Sequence, residues 1–241
     1  MVFCTRLCNL FFVSTTLRMN KQLIVSARET EVQLALLEDK QLVELHKDKS
    51  GNKVKVGDIY VGKVHKIMQG LNAAFIDVAE EKDGFVHYLD LGTNYNSVMK
   101  YMKLAMNGDA AAATLADFKP EPILEKNGNL ANVLKVGQLV LAQVAKEPIS
   151  TKGPKLTGDI SFAGRYLVLT PFVSRISISQ KIKGAEERGR LRRLIQSIKP
   201  ANFGVIVRTI AEGKGVEELD ADLRQLLAQW SELTDRLKHV T

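Results

Sequence analysis

Cysteine is almost missing from this chain. Its 241 residues include two, Cys4 and Cys8, both at the extreme N-terminus. Neither a disulfide framework nor a cysteine metal site is available to the rest. Histidine is nearly as scarce: His46, His65, His87 and His239 are scattered, and no HExxH pair occurs. That removes the common zinc-hydrolase pattern. No stretch reaches the roughly 18 apolar residues that span a bilayer. The glycine turn at residues 211–215 (AEGKG) lacks the glycine spacing and the Lys-Ser/Thr ending of a P-loop. Metal-dependent cleavage of nucleic acid needs carboxylates gathered around Mg²⁺. Asp77 sits alone on a strand, and Asp220 and Asp222 diverge on a helix, so all three read as solvated surface acids.

Basic residues are what the chain has in excess. The formal net charge is +7 and the pI about 9.3, which favours a polyanionic partner, nucleic acid first. The charge is clustered. Residues 152–214 hold thirteen lysines and arginines against four acids.

The organising stretch is residues 59–87 (IYVGKVHKIMQGLNAAFIDVAEEKDGFVH). Ile59, Val61, Val64 and Ile67 mark one strand, residues 73–78 (AAFIDV) a second, and residues 84–86 a third. Gly62, Gly70 and Gly84 fall where such strands bend or turn. Short curved strands punctuated by glycine predict a small closed barrel. Phe75 and Phe85 lie on neighbouring strands near Lys63 and Lys66. Paired aromatics among lysines suit an OB-type barrel that stacks single-stranded bases; phenylalanines on a strand equally suit a core.

Around this stretch the chain reads as follows. Residues 1–18 have two arginines, no acids and a short apolar centre. They fit a transit or signal-like peptide, or an upstream start with Met19 as the working one; the second is preferred. Residues 22–27, 31–37 and 41–46 alternate as strands, the last two joined as a hairpin across a short polar turn, with a loop at 50–52. From 88 to 133 the pattern weakens, and a long, partly helical, mobile loop is predicted, inserted in the barrel. Residues 136–144 predict a closing strand with Val136, Gln138, Val140, Ala142 and Val144 on one face. A basic turn at 152–155 leads to strands at 160–169 and 176–182. A helix over 186–198 carries Leu191, Leu194, Ile195 and Ile198 on one face and Arg188, Arg192 and Arg193 on the other. A buried strand at 204–209 ends in Arg208-Thr209. A long helix follows over 216–237.

A guanidinium and a hydroxyl at the end of a buried strand can jointly hold a phosphate. Backbone N–H groups of Gly164 or its neighbours would complete the cradle. The plainer alternative is a surface arginine with a threonine that caps the turn.

Seven blocks in order, MNKQLIVS, DIYVGKV, LNAAFIDV, DGFVH, SFAGRYLVL, ISISQKI and GVIVRT, resemble the ribonuclease E/G family of bacterial endoribonucleases, the short ribonuclease G-like members most. The likeness runs from about Met19 onward and leaves out residues 1–18 and the 88–133 insertion. It implies an α+β fold. Residues 19–57 would be part of an RNase H-like subdomain. Residues 58–147 would be an inserted S1 (OB-fold) domain, and residues 148–241 a 5′-sensor domain. It further implies RNA contacts at Phe75, Phe85 and Lys152, and a 5′-monophosphate pocket at Gly164, Val168, Arg208 and Thr209. The expected partner is single-stranded RNA, in rRNA and mRNA processing and decay, in the cytoplasm and without a membrane. The family's catalytic aspartates, its Mg²⁺ and its zinc-binding cysteines belong to later subdomains. This chain is therefore expected to be the N-terminal half of such an enzyme, inactive alone, with no catalytic residue, metal ligand or cofactor of its own. Mg²⁺ and self-association would be matters for the full-length enzyme. The alternative is a stand-alone S1-type RNA-binding regulatory protein.

Overall fold

The computed structural model describes residues 20–28, 31–49, 54–108, 115–149 and 151–240. The leader with both cysteines, the 50–52 loop and most of the alanine run at 110–116 lie outside the described residues. The chain divides into two compact units, residues 1–53 and 54–241.

The first unit is an antiparallel meander of β1 (Lys21–Ala27), β2 (Glu31–Glu38) and β3 (Gln41–Lys49). The two-residue turn into β3 places Asp39 and Lys40 at φ of 50° and 68°, as the tight turns that match strand twist require. Every side chain of β1 is exposed, Leu23, Ile24 and Val25 included.

The second unit begins with the barrel. β4 (Ile59–Met68), β5 (Ala73–Asp77), β6 (Gly84–His87), β7 (Leu139–Lys146) and β8 (Lys155–Thr157) close in the order β4-β5-β6-β8-β7. The mixed α+β composition and this closed five-stranded barrel fit an OB-type fold. Gly62 is needed for closure: a Cβ there would lie 2.4 Å from Ile76 Cγ2. Lys155 opens the closing strand instead of ending a turn, so the barrel runs past residue 147. Val136 lies outside β7 and is exposed, because Gly137 turns the chain at φ 84°. β7 is covered on both faces: Leu141 and Gln143 are buried along with Val140, Ala142 and Val144. Gln143 tolerates burial because its amide is satisfied. Its Nε2 donates to the Gly57 and Ser161 carbonyls at 2.9 and 2.8 Å, and its Oε1 accepts from Ser161 N–H at 2.9 Å.

The stretch at 88–133 is not a loop at its start. It forms α1 (Tyr95–Met106), whose Tyr95, Val98, Met99, Tyr101, Met102 and Ala105 are buried. The helical spacing was present in the sequence, carried by tyrosine and methionine in place of leucine. After the undescribed residues the chain returns along the barrel. Asn72, at φ 48°, ties it there by hydrogen bonds to Gly128 O and Leu130 N.

A four-stranded sheet completes the unit in the order β11-β12-β10-β9: β9 (Phe162–Ala163), β10 (Leu167–Pro171), β11 (Ile176–Ile178) and β12 (Phe203–Val207). The strand expected over 160–169 is thus broken into a β9–β10 hairpin at residues 164–166. α2 (Ala185–Ile198) and α3 (Val216–Leu237) match their predicted spans closely. α3 buries Leu219, Leu223, Leu226, Trp230 and Leu237. The Trp230 ring is 2 % exposed. It meets Tyr101 of α1 at a centroid distance of 4.6 Å, Phe203 of β12 at 5.6 Å, Phe172 at 5.8 Å and Phe162 of β9 at 6.1 Å. Three of these contacts are edge-to-face, the geometry the ring quadrupole prefers. The Tyr101 hydroxyl also bonds Thr234 of α3. The indole Nε1 has no acceptor among the described residues.

Trp230→Ala is therefore expected to cost about 3–5 kcal/mol in urea unfolding. Trp230→Phe should cost much less, since it keeps a ring and removes an unpaired donor.

Candidate nucleic-acid interface

Alternation along the barrel wall decides where the two phenylalanines point. Ala74, Ile76 and Val86 turn inward and are buried, whereas Phe75 and Phe85 turn outward and are half-exposed. They are direct cross-strand partners on β5 and β6. Their ring centroids are 5.7 Å apart with planes at 67°. Rings that the core does not consume stay available to a ligand.

The pair lies in a cleft of about 700 Å³ whose lining includes four lysines, Lys82, Lys146, Lys152 and Lys155, against two acids, Asp83 and Glu147. Lys152 is exposed and enters through a tight loop, closed by its own N–H on Ile149 O at 2.9 Å. Gly153 lets that loop press against the barrel, where a Cβ would come within 2.0 Å of the Asp83 carbonyl. Lys155 is paired with Asp90 at 2.8 Å. Lys66 stands opposite Phe75 in register, while Lys63 faces Asp77. Neither lines the cleft; its lysines come from loops at Lys82 and Lys152 and from strand ends at Lys146 and Lys155, segments distant in sequence that strand spacing does not bring together.

The second group forms on the outward side of the four-stranded sheet. Val168 of β10 pairs with Ile206 of β12 and with Ala163 of β9, and Val168 is half-buried. Arg208 and Thr209, both exposed, follow β12 directly. Arg208 Nη1 donates to the Gly164 carbonyl at 2.6 Å, which brings Arg208 and Gly164 together. The remaining guanidinium N–H groups carry no bond among the described residues. The Thr209 hydroxyl shares a hydrogen bond of 2.9 Å with the Ser179 hydroxyl.

The backbone cradle expected from Gly164 and its neighbours does not form, because those N–H groups are spent. Gly164 N–H donates to Leu167 O at 2.8 Å. The next three donate to the Asp222 carboxylate: Arg165 at 3.0 Å, Tyr166 at 2.9 Å and Leu167 at 2.8 Å. Asp222 is accordingly not a solvated surface acid; it is 8 % exposed and fixes the β9–β10 corner. The corner also requires glycine. A Cβ at residue 164 would lie 2.6 Å from Asp222 Oδ2. Nothing in the local sequence marks Asp222, since its partners are more than fifty residues upstream.

A salt link holds the turn after Thr209. Arg190 of α2 grips both Glu187 oxygens, at 2.7 and 2.6 Å, and donates to the Lys214 carbonyl at 3.0 Å. Gly213 N–H donates to the same carboxylate at 2.9 Å. The Arg190 hydrogen bonds first, then the Gly213 N–H, hold the Glu187 pKa down to about 2.

Among the described residues no three His, Cys, Asp or Glu side chains gather as metal ligands. Asp77 caps its own loop through Ala79 N–H, Asp220 pairs with Arg224, and Asp222 holds backbone. These residues do not fit a Mg²⁺ centre. No helix among the described residues is long and apolar enough to cross a membrane.

Known proteins resemble this chain in sequence. Residues 161–241 match the model of the ribonuclease E/G family. The chain is 41 % identical over 177 residues to ribonuclease E of a Nostoc species, which covers 73 % of this chain and 22 % of that protein. It is 30 % identical over 220 residues to ribonuclease G of Escherichia coli, covering 91 % of this chain and 41 % of the relative. Ribonuclease G of Haemophilus influenzae is 32 % identical over 215 residues, with 89 % and 40 % covered. The chain thus spans about two fifths of the ribonuclease G relatives and about a fifth of the ribonuclease E relative.

Three substitutions test the anchors. Asp222→Ala strands three backbone donors and should lower stability by at least about 1–3 kcal/mol, read as a fall in thermal midpoint. Gly164→Ala should also destabilise, by displacing the carboxylate. Glu187→Gln should lower the thermal midpoint at neutral pH. The depressed pKa makes the Glu187 contribution complete above the usual carboxylate range and lost as pH falls toward about 2. The gap between variant and parent should therefore close on acidification.

Proposed function

Because the chain belongs to the ribonuclease E/G family, we propose that it supplies the RNA-binding and 5′-end-sensing part of such an endoribonuclease. The substrate is single-stranded RNA, in rRNA and mRNA processing and decay. The observation that carries this reading is the outward pair Phe75–Phe85 in a lysine-lined cleft. Two half-exposed rings offer stacking faces to unpaired bases, at about 1–3 kcal/mol per base. Lys152 supplies charge to the phosphate that follows a stacked base. Stacking accepts any base, so this contact selects single strands over duplex without reading sequence.

In the same reading Arg208 and Thr209 hold the 5′-monophosphate, with Val168 as an apolar wall and Gly164 as the carbonyl that orients the guanidinium. The unused guanidinium N–H groups can donate to an acceptor-only ligand, and the Thr209 hydroxyl, bonded to Ser179, can turn its proton to the same ligand. The barrel corresponds to an S1 domain, the sheet with α2 and α3 to a 5′ sensor, and the first meander to part of an RNase H-like subdomain. These residues bind and orient RNA; we assign no bond cleavage to them.

Phe75→Ala and Phe85→Ala should each weaken binding of a fluorescent oligouridylate by about ten- to a hundredfold, whatever its 5′ end. Arg208→Ala should leave 5′-hydroxyl RNA untouched and abolish the preference for a 5′-monophosphate. Equal affinity of the parent protein for both 5′ ends would refute the sensor assignment.

A further inference from the structure

Next to Thr209 lies a second basic cleft that the 5′-end reading does not use. It has a volume of about 660 Å³ and runs between α2 and β11, the edge strand of the sheet. Arg188, Arg192 and Gln196 recur every four residues and so line it from one face of α2. Arg175 and Gln180 line it from the β11 side. No carboxylate and no aromatic ring among the described residues lines it.

The three arginines play different parts. Arg188 is half-buried and structural: its Nη1 donates to the Ser179 and Ile182 carbonyls at 2.7 and 3.1 Å. The Arg175 and Arg192 side chains are exposed, with no hydrogen bond or ion pair among the described residues. Of the helix's own acids, Glu187 is held by Arg190 and Gly213, and Glu186 does not line the cleft. Ser179 joins the two sites: its hydroxyl meets Thr209 and its carbonyl meets Arg188. From Ser179 back to Arg175 is four residues, roughly 13 Å along extended chain.

We propose that this cleft is a second phosphate site, where Arg175 and Arg192 hold internal phosphodiesters of the same single strand whose 5′ end lies at Arg208 and Thr209. The inference rests on the RNA reading above. Unpaired guanidinium groups favour an acceptor-only, anionic ligand, and glutamine amides add donors for non-bridging oxygens. With no ring to stack a base, the contact is to backbone and blind to sequence. It gives the strand a track leading away from its 5′ end.

The test is the double variant R175Q/R192Q in the full chain, with oligouridylates bearing 5′-hydroxyl or 5′-monophosphate ends across a salt series. R224Q/R236Q on α3 removes the same charge from elsewhere and is the control. The cleft variant should bind both RNAs about five- to twentyfold more weakly at low salt and keep their affinity ratio. Its slope of log affinity against log salt should shrink by about 0.7 per phosphate released, so about 1.4 in all. The control should keep the parent slope. If the parent binds RNA and the cleft variant matches either parent or control in slope, the second site is refuted and the 5′-sensor reading stands. A parent that binds no single strand refutes both.

Discussion

The second unit depends on one indole. Trp230 of α3 is the place where α1, from the barrel insertion, meets β9 and β12 of the four-stranded sheet. Phe172 against Tyr101 and Phe118, Asn202 donating to the Leu115 and Phe118 carbonyls, and the Gln143–Ser161 hydrogen bonds add to this junction. An aromatic cluster suits this junction because rings approaching edge-to-face fix orientation as well as distance. The interior is close-packed, so a displacement of α3 is transmitted rather than absorbed.

That rigidity has a functional consequence, because α3 also carries Asp222. Eight residues before the indole, its carboxylate gathers three backbone N–H groups at the β9–β10 corner. The corner includes the Gly164 carbonyl, and that carbonyl positions Arg208. A chain of direct contacts therefore runs from the core to the exposed guanidinium. One terminal nitrogen of that guanidinium, Nη1, is held by the carbonyl, and its other N–H groups carry no bond among the described residues.

The barrel achieves the complementary result by alternation alone. Small inward residues, Ala74 and Gly84, let the wall close tightly, Gly84 directly against Leu156. The larger rings are left outside. The two half-exposed rings left on the outer wall are the surface chemistry on which the proposed contact rests.

Local pattern determined most of the elements. Period-two alternation gave the meander and barrel strands, and period-3.6 leucines gave α2 and α3 nearly to the residue, because those signals are set within a few turns of chain. Phe75, Phe85, Arg208 and Thr209 were legible as candidates for the same reason. What the sequence left open was decided by contacts between distant segments. Whether the phenylalanines faced in or out depended on barrel closure through β8. Whether the backbone at 164–167 was free or spent depended on Asp222, an acid that looks like any other on a helix until α3 docks. The lysines of the cleft and the place of Ser179 between two basic sites belong to the same class: their chemistry is local, but their neighbours are chosen by the fold.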